Sequence, residues 1–195
     1  TDRVELDEQI GALFAELEQS GVLQNTLVVI TSDHGESFGT GNGDHNPIGH
    51  GTSLYPEQTR VPLFIVFPGH IAAGSQNPEL VSIRQIPGTI ADLLQTPSNP
   101  FPDPPLSLSW QTPGQSSNNT QGLLMTLNYS EHNLTSVLWD GWQYIHDQTT
   151  TTDELYNLVS DPPAKRNLAS EFDLTPAKTR LKDLMRETRP VAQKQ

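Results

Sequence analysis

At 195 residues and 34% apolar content, the chain suits one domain or one and a half, with a real core and much loop or surface. Its net charge of −12 excludes the basic footprint of a nucleic-acid binder, and no run is apolar enough to span a bilayer. The absence of cysteine excludes disulfides and thiolate sites, and it leaves the compartment unread. The same charge repels anions at long range, so a sulfate or phosphate site here calls for a local cation, most economically a bound metal.

Leu6, Ile10, Leu13, Phe14 and Leu17 recur at helical spacing, with Asp2, Glu5, Asp7 and Glu8 crowding the first turns, where the helix dipole favours them. Gly21 is the expected C-terminal cap. The chain opens inside this helix with no basic-then-apolar leader, which is the expectation for a piece of something longer. Thr26-Leu27-Val28-Val29-Ile30-Thr31 is short, β-branched and unalternating, and reads as a buried parallel strand. Asp33 and His34 then emerge at its carboxyl end, where open α/β sheets place ligands. A carboxylate beside an imidazole can be half of a divalent-metal site, although such a pair taken alone is more often a structural turn.

Residues 35–52 form a glycine-rich loop carrying His50 between Gly49 and Gly51. A histidine on such bare backbone can reach an anion, or it can be a solvated loop residue. Within the loop, Asp44-His45 could add a ligand or form a turn. Glu36 could hydrogen-bond a metal-bound histidine or cap the loop.

Arg60–Phe67 is the second expected buried strand, and Pro68-Gly69 stops it. Leu80-Val81-Ser82-Ile83 suggests a short strand. Pro87 opens a helix through Ile90, Leu93 and Leu94. Residues 96–120 are rich in Pro, Ser, Gln and Asn and read as a long surface connection. Leu123–Tyr129, Thr135–Trp139, Trp142–His146 and Glu154–Leu158 read as strands, with Asp140-Gly141 a hairpin turn. Trp139 and Trp142 are expected to pack across that sheet rather than bind a sugar. A last amphipathic helix uses Leu174, Ala177, Leu181, Leu184 and Met185. His70, His132 and His146 read as structural or exposed. Sequons at Asn118, Asn128 and Asn133 matter only in a secreted eukaryotic protein.

Several of these segments, in this order, form a pattern. Thr26 through Asp33-His34-Gly35-Glu36-Ser37-Phe38-Gly39 is followed by Gly49-His50-Gly51-Thr52-Ser53-Leu54-Tyr55 and by Arg60-Val61-Pro62-Leu63. Pro68-Gly69-His70-Ile71, Ile86–Leu94, Gly141–Ile145 and Glu154–Pro162 come after them. The chain resembles the second half of a sulfatase, in the alkaline-phosphatase superfamily. The resemblance covers nearly everything except residues 96–120. It implies an α/β fold: part of an alkaline-phosphatase-like, mostly parallel sheet with flanking helices, then a small antiparallel sheet closed by a C-terminal helix. Residues 1–95 would be the C-terminal part of the catalytic domain, 96–120 a connection, and 121–195 the C-terminal subdomain.

The resemblance also implies roles. Asp33 and His34 match the family's later pair of metal ligands, and His50 matches a position, often lysine, that contacts the substrate's sulfate or phosphate oxygens. His50 is thus the implied catalytic and substrate-binding residue. The usual metal is calcium, with manganese or zinc in phosphonate- and phosphate-ester relatives. The implied partner is a small-molecule or glycan sulfate ester, with a phosphate ester as alternative and an extracytoplasmic setting as the family tendency.

The family's first acidic pair and its formylglycine, made from a Cys/Ser-x-Pro-x-Arg segment, have no match here. Ser160-Asp161-Pro162-Pro163-Ala164 lacks the arginine and reads as a turn, and Gln143 stands where lysine is frequent. The expectation is a hydrolase fragment without its nucleophile half, inactive alone. Alternatives within the superfamily are a phosphodiesterase, phosphonate hydrolase or phosphoethanolamine transferase. Outside catalysis, the alternative is an inactive remnant.

Overall fold

The computed structural model describes residues 2–39, 45, 48–108 and 122–187. They fall into two compact units, Thr1–Ser32 with Pro62–Asn77, and Asp33–Val61 with Pro78–Gln195.

In the first unit α1 (Asp2–Gln19) ends at Gly21, whose φ of 72° suits the cap expected there. A 3-10 turn, Leu23–Asn25, leads into β1 (Val28–Thr31), which pairs with β2 (Leu63–Val66). The pair is antiparallel, from Val28 opposite Val66 to Thr31 opposite Leu63, and the Thr31 hydroxyl donates to the Pro62 carbonyl at 2.8 Å. This corrects the expectation of a parallel strand here. An apolar run reports burial, but direction depends on the partner, and the chain between residues 31 and 63 is long enough for either sense. The strands are also less buried than expected: Val28–Ile30 are partly covered and Phe64 is 60% exposed. A two-stranded ribbon has no layer of its own to cover both faces.

The second unit is built on a four-stranded antiparallel sheet in the order β3 (Leu123–Tyr129), β4 (His132–Trp139), β5 (Trp142–Asp147), β6 (Thr152–Asn157). The β4–β5 turn is Asp140-Gly141, both at positive φ (45° and 77°) as that two-residue turn requires. Alternation divides the side chains of β4 to β6 between two cores. Val137, Tyr144 and Leu155 pack with Ala177, Leu181 and Leu184 of the C-terminal helix α4 (Thr175–Glu187), which closes this face as expected. Trp139 and Trp142 border the same core. Ile145 and Tyr156 point to the other face and pack with Leu54 and Ala164. There the buried Gln143 amide donates to the Leu54 carbonyl at 2.6 Å, which gives this residue a structural task.

Residues 49–59 therefore lie against the sheet. They contain a single helical turn, α2 (Pro56–Thr59). Further along, α3 (Ile86–Leu93) begins beside the expected Pro87. The strand expected at 80–83 is absent. Ser82 and Gln85 instead form a capping box that starts a 3-10 turn, Ile83–Gln85. The connection expected at the surface is partly docked: Leu106 and Ser107 are buried, and the Leu106 amide donates to the Thr89 hydroxyl at 2.8 Å.

Candidate metal and anion site

Asp33 and His34 lie just past β1 in the chain. The Asp33 carboxylate is 85% exposed and accepts the His34 amide at Oδ1, at 3.0 Å. His34 Nδ1 lies 2.8 Å from the Gly35 carbonyl, which can only accept, so Nδ1 carries the proton and Nε2 is the basic nitrogen. That Nε2 is 3.6 Å from Asp33 Oδ1. Two donors each about 2.3 Å from one ion, near a right angle, lie about 3.3 Å apart. The donor types, their spacing and the tautomer therefore fit a shared divalent cation.

The backbone turns sharply at Gly35, where a Cβ would overlap the Glu57 carbonyl oxygen and where the amide donates to the Gln58 carbonyl at 2.9 Å. Ser37 and Gly49 then form an isolated antiparallel bridge, with Ser37 N to Gly49 O at 3.0 Å and Gly49 N to Ser37 O at 2.9 Å. An antiparallel bridge sets Glu36 opposite His50. His50 Nδ1 is 2.9 Å from Glu36 Oε2, and its ring stacks on His34 with centroids 3.9 Å apart and planes 25° apart. Of the sequence-expected residues, His34 and His50 are thus brought together, and Asp33 meets His34. One donor atom each from His34, Glu36 and His50 lies within 4.8 Å of the others.

Glu36 bonds His50, the expected anion contact. Sequence reasoning also missed Gln58. Its buried Oε1 accepts from the Thr52 and Ser53 amides at 3.0 and 3.2 Å, and its Nε2 donates to the Thr52 hydroxyl at 3.0 Å. It fixes the backbone that carries His50. A glutamine inside a short helical turn gives no sequence signal for this.

His45 is not a ligand candidate. Its nitrogens meet Glu57 Oε1 at 3.1 Å and the Ala164 carbonyl at 2.6 Å, and its ring stacks on Tyr55 at 3.8 Å. Asp44 lies outside the described residues.

The family profile described as Sulfatase matches residues 4–96. The chain belongs to the sulfatase family of the alkaline-phosphatase superfamily. Sulfatases similar to it include arylsulfatase K of Rattus norvegicus, 31% identical over 184 residues, covering 86% of this chain and 31% of the relative. An arylsulfatase of Clostridium perfringens is 36% identical over 90 residues, 45% of this chain and 18% of the relative. Among solved structures, BT4656 in complex with its substrate D-glucosamine-2-N,6-O-disulfate superposes with a TM-score of 0.77 at 23% identity, covering 95% of this chain and 38% of that one. A phosphonate monoester hydrolase from Silicibacter pomeroyi gives 0.67 at 21% identity, covering 94% and 38%.

These likenesses place the fold in the alkaline-phosphatase-like class, and the α/β reading stands, with antiparallel pairing in both sheets described. Sulfatases are metal-dependent, and this chain spans about a third of the length of the arylsulfatase K sequences it matches. Among the described residues no helix is long and apolar enough to cross a membrane.

Proposed function

We propose that these residues form the C-terminal part of a sulfuric ester hydrolase acting on a small-molecule or glycan sulfate ester, with residues 1–95 contributing to its catalytic domain. The stacking of His50 on His34 carries the reading, because it sets an anion contact against a metal ligand. Asp33 and His34 would hold the divalent ion, most simply calcium. Bound there, the metal would supply positive charge where sulfate oxygens gain negative charge. Asp33 Oδ1 and His34 Nε2 offer the donors, and the Nδ1–H bond to Gly35 keeps the ring turned that way. His50 presents its Nε2 edge to the transferring group, to stabilise its charge or assist proton transfer. The nucleophile and the remaining ligands would come from outside this chain. Two ligands alone should hold metal weakly.

The test uses the longer protein that joins these residues to a nucleophile half. Asp33→Ala should lower metal occupancy and sulfate-ester turnover together, and unchanged turnover would remove Asp33 from this role. A phosphonate or phosphate ester substrate is the second reading. An imidazole ligand also suits manganese or zinc, and the phosphonate monoester hydrolase shares the fold. Comparing sulfate, phosphate and phosphonate esters of one chromogenic alcohol, with calcium, manganese and zinc in turn, separates the two.

A further inference from the structure

We propose that Glu36 is a positioning residue for His50: its carboxylate holds Nδ1–H, so that Nε2, with its lone pair, is the nitrogen turned to the substrate, where it can take a proton and only then donate to the sulfate oxyanion. What His50 faces rests on the sulfate-ester reading; the Glu36–His50 bond does not.

An ammonium donates in any direction, whereas an imidazole has two fixed in-plane directions, and its use to an anion depends on how the ring is turned. His50 has little of its own to fix it. It sits between Gly49 (φ 133°) and Gly51 (φ 70°), and its side chain is 53% exposed. Three neighbours supply the constraint. Glu36 Oε2 accepts at 2.9 Å, His34 covers one face of the ring, and Gln58 holds the Thr52 and Ser53 amides just after it. The Ser37–Gly49 bridge sets Glu36 opposite His50 independently of either side chain's rotamer.

The His45–Glu57 pair of the same unit shows the alternative outcome. There the second ring nitrogen meets the Ala164 carbonyl at 2.6 Å, which leaves that edge no role toward a substrate.

Imidazole 15N NMR of the 195-residue chain at about pH 8, where an ordinary histidine is neutral, reads the tautomer directly. The expected result is His50 held as the Nδ1–H form. Glu36→Ala should move it toward the Nε2–H form that free imidazole favours, and Glu36→Gln, which keeps an acceptor oxygen, should restore it. Glu36→Met keeps the aliphatic stem without the acceptor and should match Glu36→Ala, with His146 signals unmoved as a control on the sheet.

In the longer enzyme Glu36→Ala should lower kcat about 10- to 100-fold with KM within about twofold, and Glu36→Gln should recover most of the loss. A tautomer indifferent to Glu36, or a kcat indifferent to Glu36→Ala, overturns the positioning role. If the tautomer follows Glu36 while Asp33→Ala leaves sulfate turnover intact, the sulfatase reading falls and the Glu36–His50 bond stands.

Discussion

The loop at residues 33–52 and the four-stranded sheet both pair histidine with a carboxylate, yet they treat the pair differently. In the sheet the carboxylates are saturated. Asp147 accepts from His132 at 2.6 Å, the Thr149 amide at 2.9 Å and the Thr150 hydroxyl at 2.9 Å. Asp153 meets Tyr144 at 2.5 Å, His146 at 2.9 Å and Lys178 at 2.6 Å. The bond to His132, with the two threonine bonds, holds Asp147 well below the usual carboxylate range. Burial pushes Asp153 up, but the bonds from Lys178, Tyr144 and His146 outweigh it and its carboxyl is also lowered. Burial and Asp153 together raise the Tyr144 phenol.

In the loop, Glu36 and His50 are both more open to solvent, and Asp33 more so. The lesson is that the same two residue types hold a fold together when their remaining lone pairs and protons are used up. They are available to a ligand when an edge is left facing outward.

This contrast can be broken most forcefully at its two ends. His50→Ala should reduce turnover of the longer enzyme by about 100-fold or more, the scale of losing one donor to a developing oxyanion. It should change the unfolding free energy of this chain by less than about 0.5 kcal/mol, as for an exposed side chain. His45→Ala should do the reverse within this chain. It strips a partner from the partly buried Glu57 and a ring from Tyr55, at a cost of about 2 kcal/mol in urea unfolding. Equal stability losses at the two histidines would erase the distinction.

Acid sharpens it. Asp147 titrates lower when folded than unfolded, so the unfolded chain takes up its proton first as pH drops. The stabilisation is complete above about pH 5 and declines as pH falls through the carboxylate range. Urea midpoints between neutral and acid pH should show this decline, and Asp147→Asn should flatten it. Tyr144→Phe removes one bond from Asp153 and should cost about 1 kcal/mol by the same measurement. Smallest of all, Arg186→Ala breaks an exposed pair with Asp183 and should stay within about 0.5 kcal/mol.

What was legible in the sequence followed from short-range pattern. Helices α1, α3 and α4 lie where the apolar spacing and Pro87 put them, and β3 to β6 lie at the segments read as strands, around the Asp140-Gly141 turn. The direction of β2 against β1 was not legible, because either sense satisfies two unalternating apolar runs. Leu80–Ile83 has strand composition, but Ser82 and Gln85 cap a 3-10 turn there. At the candidate site the residue types of Asp33, His34 and His50 stood out on their own. Glu36's partner did not, because the pairing arises only when Ser37 finds Gly49 across the loop.

That bridge has a consequence for how the site can vary. Its two bonds run between main-chain groups, so a change that keeps both amides leaves Glu36 facing His50, and one that removes an amide does not. Ser37→Pro, which has no amide hydrogen to give the Gly49 carbonyl, should therefore unfasten the two side chains together.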